Sequence, residues 1–176
     1  IFDVGVEDVE HSAGRFYRLQ FLVMELVQGV PLDRWSARSG LTLTERLRIF
    51  VKICEAVSLA RDLASTPGQD LPPLALAERA REVAKRVGGK ATVHDVAALE
   101  RLGMGCVLAV GRGSPNPPCF IELVRERLRA KNAPTVVLIG KGVTFDTGGV
   151  SLKPREGMNK MKYDMSGAAA VIGTFA

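Results

Sequence analysis

The chain is poor in the residues that most often build disulfide and zinc sites. Of its 176 residues three are cysteines, Cys54, Cys106 and Cys119, far apart and without CxxC spacing. That argues against a disulfide framework or a structural zinc site; each lies in an apolar neighbourhood, and buried thiols in a reducing cytosol are expected. Only two histidines occur, His11 and His94, neither in an HExxH pattern, which argues against a His-based zinc hydrolase. His94 reads as a strand-end surface residue. No apolar run approaches membrane-spanning length and no signal peptide is visible, so a cytoplasmic chain with no membrane partner is expected. A large charge excess is lacking too: the net charge is +5, with acids and bases mixed. No nucleic-acid partner is expected, and the densest run, Arg125-Glu126-Arg127-Leu128-Arg129-Ala130-Lys131, reads as a solvated face. There is no internal repeat and no low-complexity segment. The chain opens on Ile1 rather than Met, and a piece of a longer protein is expected.

What is present is a globular composition, 47% hydrophobic and 24% charged. Ile1 to Val6 and Phe21 to Val27 read as two strands, separated by a polar stretch, Glu7 to Gln20, too long for a tight turn. Gly29 and Pro31 break the pattern. Thr42-Leu43-Thr44-Glu45 has capping-box spacing. After it Leu43, Leu47, Phe50, Cys54 and Val57 recur at helical intervals, predicting a helix to about Leu63 with that face turned inward. Ser65 to Asp70 is a loop. Pro72-Pro73 opens a second helix, with Leu76, Ala80, Val83 and Val87 as its buried stripe and Gly88-Gly89 as its stop. A short strand is predicted near Ala91-Thr92-Val93, then a helix capped by Asp95 and running through Leu102. Three further strands are predicted at Cys106 to Val110, Phe120 to Leu123 and Thr135 to Ile139, and a last helix from about Ser166. Such alternation indicates a layered α/β sheet. In these sheets ligands sit beyond the carboxyl ends of strands, where Lys141 falls.

The segment Lys141 to Pro154, KGVTFDTGGVSLKP, places glycine and unpaired charge at the end of a strand that reads as buried. Lys141, Asp146, Lys153 and Asp164 stand out. Thr147-Gly148-Gly149 permits positive φ and close backbone approach. Asp164 precedes the small residues Gly167-Ala168-Ala169-Ala170, which allows the helix to pack tightly against the loop. Neither GxxxxGK[ST] nor GxGxxG is present, so a phosphate cradle fits poorly. A metal site fits better. Two aspartates offer hard oxygens, a lysine amine can ligate once it has lost its proton, and a second, charged lysine can stabilise an oxyanion.

The stretch VLIGKGVTFDTGGVSLKPREGMNKMKYDMSGAAAVIGT, Val137 to Thr174, resembles the leucyl aminopeptidase family, the two-metal enzymes also called M17 or cytosol aminopeptidases. The resemblance continues upstream through GMGCVLAVGRGSPNPP to ARDLASTPGQDLPP, and so covers about residues 58 to 176. It implies a metal-dependent aminopeptidase acting on a peptide substrate, with two divalent ions, Mn²⁺ or Zn²⁺, and a homo-hexameric assembly. It further implies that Lys141, Asp146 and Asp164 are metal ligands, Asp146 bridging both ions, and that Lys153 is the catalytic lysine that polarises the scissile carbonyl. The family's later N-T-D-A-E-G-R segment, with two more carboxylate ligands, does not occur before Ala176. The metal site of this chain is therefore expected to be incomplete, and the chain alone to have little or no peptidase activity.

Residues 1 to 57 carry a different likeness. FLVMELVQGVPLDRW followed by LTLTERLRIFVKICEAV resembles a bacterial Ser/Thr protein kinase of the eukaryotic type. That implies Met24 as gatekeeper and Glu25-Leu26-Val27 as adenine-facing hinge, although the Gly-rich loop, strand lysine, HRD and DFG are absent and phosphoryl transfer is excluded by that route. The two likenesses meet near Val57-Ser58, where one continuous helix can serve both. The expected fold is thus α/β: a partial three-layer mixed sheet with flanking helices over 58–176, preceded by a kinase-like strand–strand–helix segment over 1–57. The alternative function is a non-catalytic chimera with at most weak metal or nucleotide binding.

Overall fold

A computed structural model describes residues 31–125 and 136–176, together with the backbone of 3–11 and 15–23. The chain divides into two compact units, Ile1–Arg46 and Leu47–Ala176. Met24 and Glu25-Leu26-Val27 lie outside the described residues, as does most of the charged run that begins at Arg125.

In the first unit β1 (Asp3–His11) pairs antiparallel with β2 (Arg15–Val23), from Asp3 opposite Val23 to His11 opposite Arg15. The strands therefore extend through most of the stretch expected to be a polar connection. The reason is visible in its alternation: Val9, Tyr17 and Leu19 recur among charged neighbours, and a pleated strand accepts polar residues on an alternating face. The short helix α1 (Leu32–Arg38) follows directly after Pro31. It had no counterpart among the predicted elements.

Helix α2 (Leu43–Ser65) begins at the predicted capping box. The Thr42 amide and hydroxyl donate to Glu45 Oε2 at 2.8 and 2.7 Å, and the Glu45 amide donates to Thr42 Oγ1 at 3.3 Å. The helix runs unbroken across residues 57 and 58. Its predicted inward face does not pack inward: Leu43, Leu47, Phe50, Cys54 and Val57 are exposed. Only the last turns meet other elements among the described residues, where Leu63 is buried and Leu59, Ala60 and Ala64 pack beside it. Periodicity marks an apolar face and does not supply the surface that covers it.

Helix α3 (Pro73–Arg86) buries Leu76, Ala77, Ala80, Val83 and Ala84. Proline stands at its first position, where the missing N–H has no intrahelical partner to lose. It ends as a Schellman turn: Gly89 N–H donates to Ala84 O at 2.8 Å and Gly88 N–H to Lys85 O at 3.3 Å, with Gly88 at φ +70°. Strand β3 (Lys90–His94) follows, and α4 (Val96–Arg101) is capped by Asp95, whose Oδ1 accepts from Ala98 N–H at 2.8 Å. Cys106 to Val110, predicted as a strand, lies in a helix, α5 (Gly105–Gly111), with Leu108 N–H bonded to Met104 O and Arg112 N–H to Leu108 O. A run of five apolar residues suits either state. Here the local i→i−4 bonds win, and the helix buries Leu108 alone. Strand β4 (Phe120–Val124) pairs antiparallel with β3, His94 opposite Phe120. A 3₁₀ helix (Met158–Met165) then leads into α6 (Ser166–Phe175).

The core of this unit joins the end of α2, α3 and α6: Leu63, Leu71, Leu76, Ala80, Val83, Met165, Ala169 and Ile172, with Ile121 and Leu123 of β4 against it. The three-layer mixed sheet expected over 58–176 is represented among the described residues by one antiparallel pair, β3–β4. Of the strand expected to be buried at Thr135 to Ile139, Val136 to Ile139 are described; they belong to no strand among the described residues and are 53–78% exposed. A strand is held by a ladder to a neighbour, and the described residues provide none there. The thiols depart from the expected burial: Cys54 and Cys106 are exposed and Cys119 is half-buried.

The capping box carries a pH signature. The Thr42 bonds hold the Glu45 carboxyl below its ordinary value. Its support of the α2 N-terminus is therefore present above the ordinary glutamate pKa and is lost as pH falls through the lowered folded value. Helicity followed by circular dichroism is expected to show that acid transition, and Glu45→Gln to remove it.

Candidate functional site

The site is built where the loop beginning at Gly140 meets the start of α6. No side chain caps that helix. Instead Lys141 O accepts from Ala168 N–H at 2.8 Å, satisfying one of the amides that every helix leaves unpaired at its N-terminus. Two glycines make this docking possible. A Cβ on Gly140 would overlap the Gly167 carbonyl, and one on Gly167 would stand 2.9 Å from Lys141 N. The tight packing expected from the small-residue run is thus present, and it brings Lys141 beside Asp164, 23 residues later. Lys141 Nζ donates to Asp164 Oδ1 at 2.8 Å.

The loop then folds back on itself. Asp146 Oδ1 accepts from Gly148 N–H at 2.8 Å, a turn closed by a side chain. Lys153 N–H donates to Thr147 O at 2.9 Å. Gly148 lies at φ +93°, and a Cβ there would overlap Ser151 O and crowd Lys153, so the loop needs glycine at this position. Lys153 Nζ reaches Asp146 Oδ2 at 2.8 Å and Met161 Sδ at 3.0 Å. All four residues singled out in the sequence therefore fall into two adjoining Lys–Asp pairs. Met161 was not among them; its signal was only its place three residues before Asp164, on the 3₁₀ helix.

The two pairs differ electrostatically. Asp146 and Lys153 are each about one-third exposed. The Lys153 bond, the Gly148 amide and the positive charges of Lys153 and Lys141 together hold the Asp146 carboxyl below the ordinary aspartate range. Asp164 is more enclosed, 20% exposed, while Lys141 is 58% exposed. Asp164 Oδ2 is buried and has no hydrogen-bond partner among the described residues. An unpartnered carboxylate oxygen at depth is costly, and a cation is a fitting partner for it. In kind, two carboxylates and lysine amines suit a divalent ion. In number they fall short: among the described residues no three His, Cys, Asp or Glu side chains converge. His94 stays apart, at the end of β3, bonded to Glu122 Oε2 at 3.2 Å. Two open clefts, of about 400 and 430 Å³, lie elsewhere, one lined by Leu74, Asp95, Glu100 and Pro118, the other along α2 by Cys54 and Arg61.

Residues 58–176, which hold the whole of this arrangement, match the catalytic domain of the cytosol aminopeptidase family. The chain belongs to that family. It is 56% identical over 174 aligned residues to a probable cytosol aminopeptidase of Geobacter sulfurreducens, an alignment covering 86% of this chain and 35% of the relative. That coverage reaches ahead of residue 58. Among solved structures it is similar to the leucine aminopeptidase of Caenorhabditis elegans, with 34% identity, a TM-score of 0.69, and 78% of this chain and 27% of that chain covered. It is also similar to the bottromycin maturation enzyme BotP in complex with Mn, with 40% identity, a TM-score of 0.61, and coverage of 82% and 29%. The chain thus spans about a third of the length of these family members. No helix among the described residues is long and apolar enough to cross a membrane.

The Asp146 environment has a direct check. Because Lys153 is the largest cause of its low pKa, the Asp146 carboxyl carbon followed by NMR should titrate below the usual aspartate midpoint, and Lys153→Met should move that midpoint up. In the native chain the contribution of the pair is present above the ordinary carboxylate pKa and lost as pH falls through the lowered one.

Proposed function

We propose that the chain is part of a metal-dependent aminopeptidase that releases N-terminal amino acids from peptides. The observation that carries this reading is the presence, within the family-matching stretch, of the two pairs Lys141–Asp164 and Lys153–Asp146, with one buried Asp164 oxygen that has no partner among the described residues. Asp146 and Asp164 would hold divalent ions, Mn²⁺ or Zn²⁺, with Lys141 as a third donor once its amine is unprotonated. The manganese complex of the similar bottromycin enzyme supports a divalent metal. When bound, such ions polarise a carbonyl and lower the pKa of a bound water. Lys153 would meet the negative charge that grows on the scissile carbonyl oxygen. Its Nζ is already fixed by Asp146 and Met161, so little ordering is left for the reaction itself.

The partner is a peptide substrate; neither nucleic acid nor membrane is part of the reading, and the setting is cytoplasmic. A homo-hexamer is the assembly the family likeness carries. A division near residue 57, with a kinase-like segment ahead of it, belongs to the same proposal. Two strands followed by helices between Asp3 and Ser65 are compatible with it; the division of the compact units at Arg46 and Leu47, and the reach of the Geobacter sulfurreducens alignment ahead of residue 58, count against it. Protection of the Met24 to Val27 region by nucleotide would test it.

Two carboxylates leave a dication under-neutralised, so the 176-residue chain by itself is expected to bind metal only weakly and to turn over a leucine anilide no faster than background. Calorimetric titration with Mn²⁺ and Zn²⁺ is expected to show stoichiometric binding that Asp146→Ala abolishes. Absence of binding, or binding that the variant retains, would overturn the metal reading; measurable turnover would overturn the expectation of inactivity.

A further inference from the structure

The turn between α2 and α3 touches both halves of the charged site. Its sequence, Ser65-Thr66-Pro67-Gly68, carries no side chain with evident chemistry. It is nevertheless anchored at each end, because Leu63 before it and Leu71 after it are both 4% exposed members of the core. Within it Thr66 Oγ1 donates to Asp62 O at 2.7 Å. Pro67 O accepts from Asp70 N–H at 2.9 Å and from Leu71 N–H at 3.0 Å. It is a stiff turn on a packed base.

Two contacts leave this turn for the site. Where a Cβ of residue 68 would stand, Phe145 Cβ and Thr144 O both lie 3.0 Å away. Phe145 adjoins Asp146, so the backbone that carries Asp146 rests directly on Gly68. On the other side, Lys162 Nζ donates to Ser65 O at 3.2 Å. Ser65 ends α2, and a cation at the carbonyl end of a helix meets both an orphan acceptor and the negative pole of the helix. Lys162 lies between Met161, which touches Lys153, and Tyr163, which adjoins Asp164; its ammonium also lies 5.0 Å from the centre of the Tyr163 ring. The segments bearing Asp146 and Asp164 are thus each held by the same four-residue turn.

We infer that Ser65–Gly68 is the positioning element of the site, with Gly68 seating the Asp146 segment and Lys162 tying the Asp164 segment to Ser65. Gly68 and Lys162 are positioning residues: neither touches the reacting groups, and both set how far apart the two Lys–Asp pairs stand. The inference rests on the reading of this loop as the functional site. It adds that its geometry is referenced to α2 rather than to the loop alone.

The test is methyl NMR of the folded chain, reading the Met161 methyl signal, assigned with Met161→Leu. That methyl reports the Lys153–Met161 contact and needs no metal. Gly68→Ala and Lys162→Met are each expected to shift it, and Lys162→Arg, which restores a cationic donor to Ser65 O, to return it. An unchanged Met161 signal in the folded Lys162→Met variant overturns the inference. That variant decides alone if Gly68→Ala does not fold. In the same samples Mn²⁺ affinity is expected to fall about tenfold in both variants, as outer contacts of metal ligands commonly cost. A wild-type chain that binds no Mn²⁺ sinks the metal reading, and the methyl signal still decides the positioning role.

Discussion

A backbone contact at two glycines sets the geometry on which the candidate site depends. Gly140 and Gly167 let the loop lie directly on the first turn of α6, close enough for Lys141 O to take the amide of Ala168. A methyl group on either side would push the two backbones apart. From that contact the rest follows by chain connectivity. Lys141 is held next to the helix start, Asp164 sits two residues ahead of it, and their side chains meet at 2.8 Å. The helix gains a partner for an amide that its own sequence does not cap. Local stability and site geometry thus come from one contact, and neither residue type nor charge at the site would suffice without it.

Opposite charges at 2.8 Å do not by themselves mark chemistry. Exposed pairs of this kind contribute about 0–1 kcal/mol and occur on many surfaces. What separates this pair of pairs is the imbalance inside it. Asp146 has both oxygens engaged, one by Gly148 and one by Lys153. Asp164 has one oxygen engaged and the other enclosed and unsatisfied. A purely structural ion pair would be expected to use both. On the proposed metal-dependent reading, that oxygen is the one offered to a cation.

Apolar surface tells a second story. The core is compact where α2, α3 and α6 meet, yet Leu47, Phe50 and Val57 on α2, and Val136 to Ile139 beside the site, remain exposed. These residues were legible as apolar and were assigned to an interior, since burial is the usual fate of such patterns. The helix stripe Leu76, Ala80 and Val83 is buried where α6 stands against it, and Ile121 and Leu123 of the expected strand Phe120 to Leu123 pack on the same core, while Phe120 is exposed and Val87, the last residue of the expected stripe, is half-buried at the helix end. The difference lies in the neighbours, not in the patterns.

Local devices were legible from residue order alone: the Thr42–Glu45 box, the Asp95 cap, the proline start and glycine stop of α3, and the four charged residues of the candidate site. Each of these works through atoms a few residues apart or through residue type alone. Tertiary structure decided what distance in the chain conceals. It left Val136 to Ile139 unpaired among the described residues and the apolar face of α2 exposed. It also brought Lys141 to Asp164 and Lys162 to Ser65, 97 residues apart. Such choices depend on which surfaces and hydrogen-bonding groups arrive opposite one another, and that is a property of the folded arrangement rather than of any short stretch.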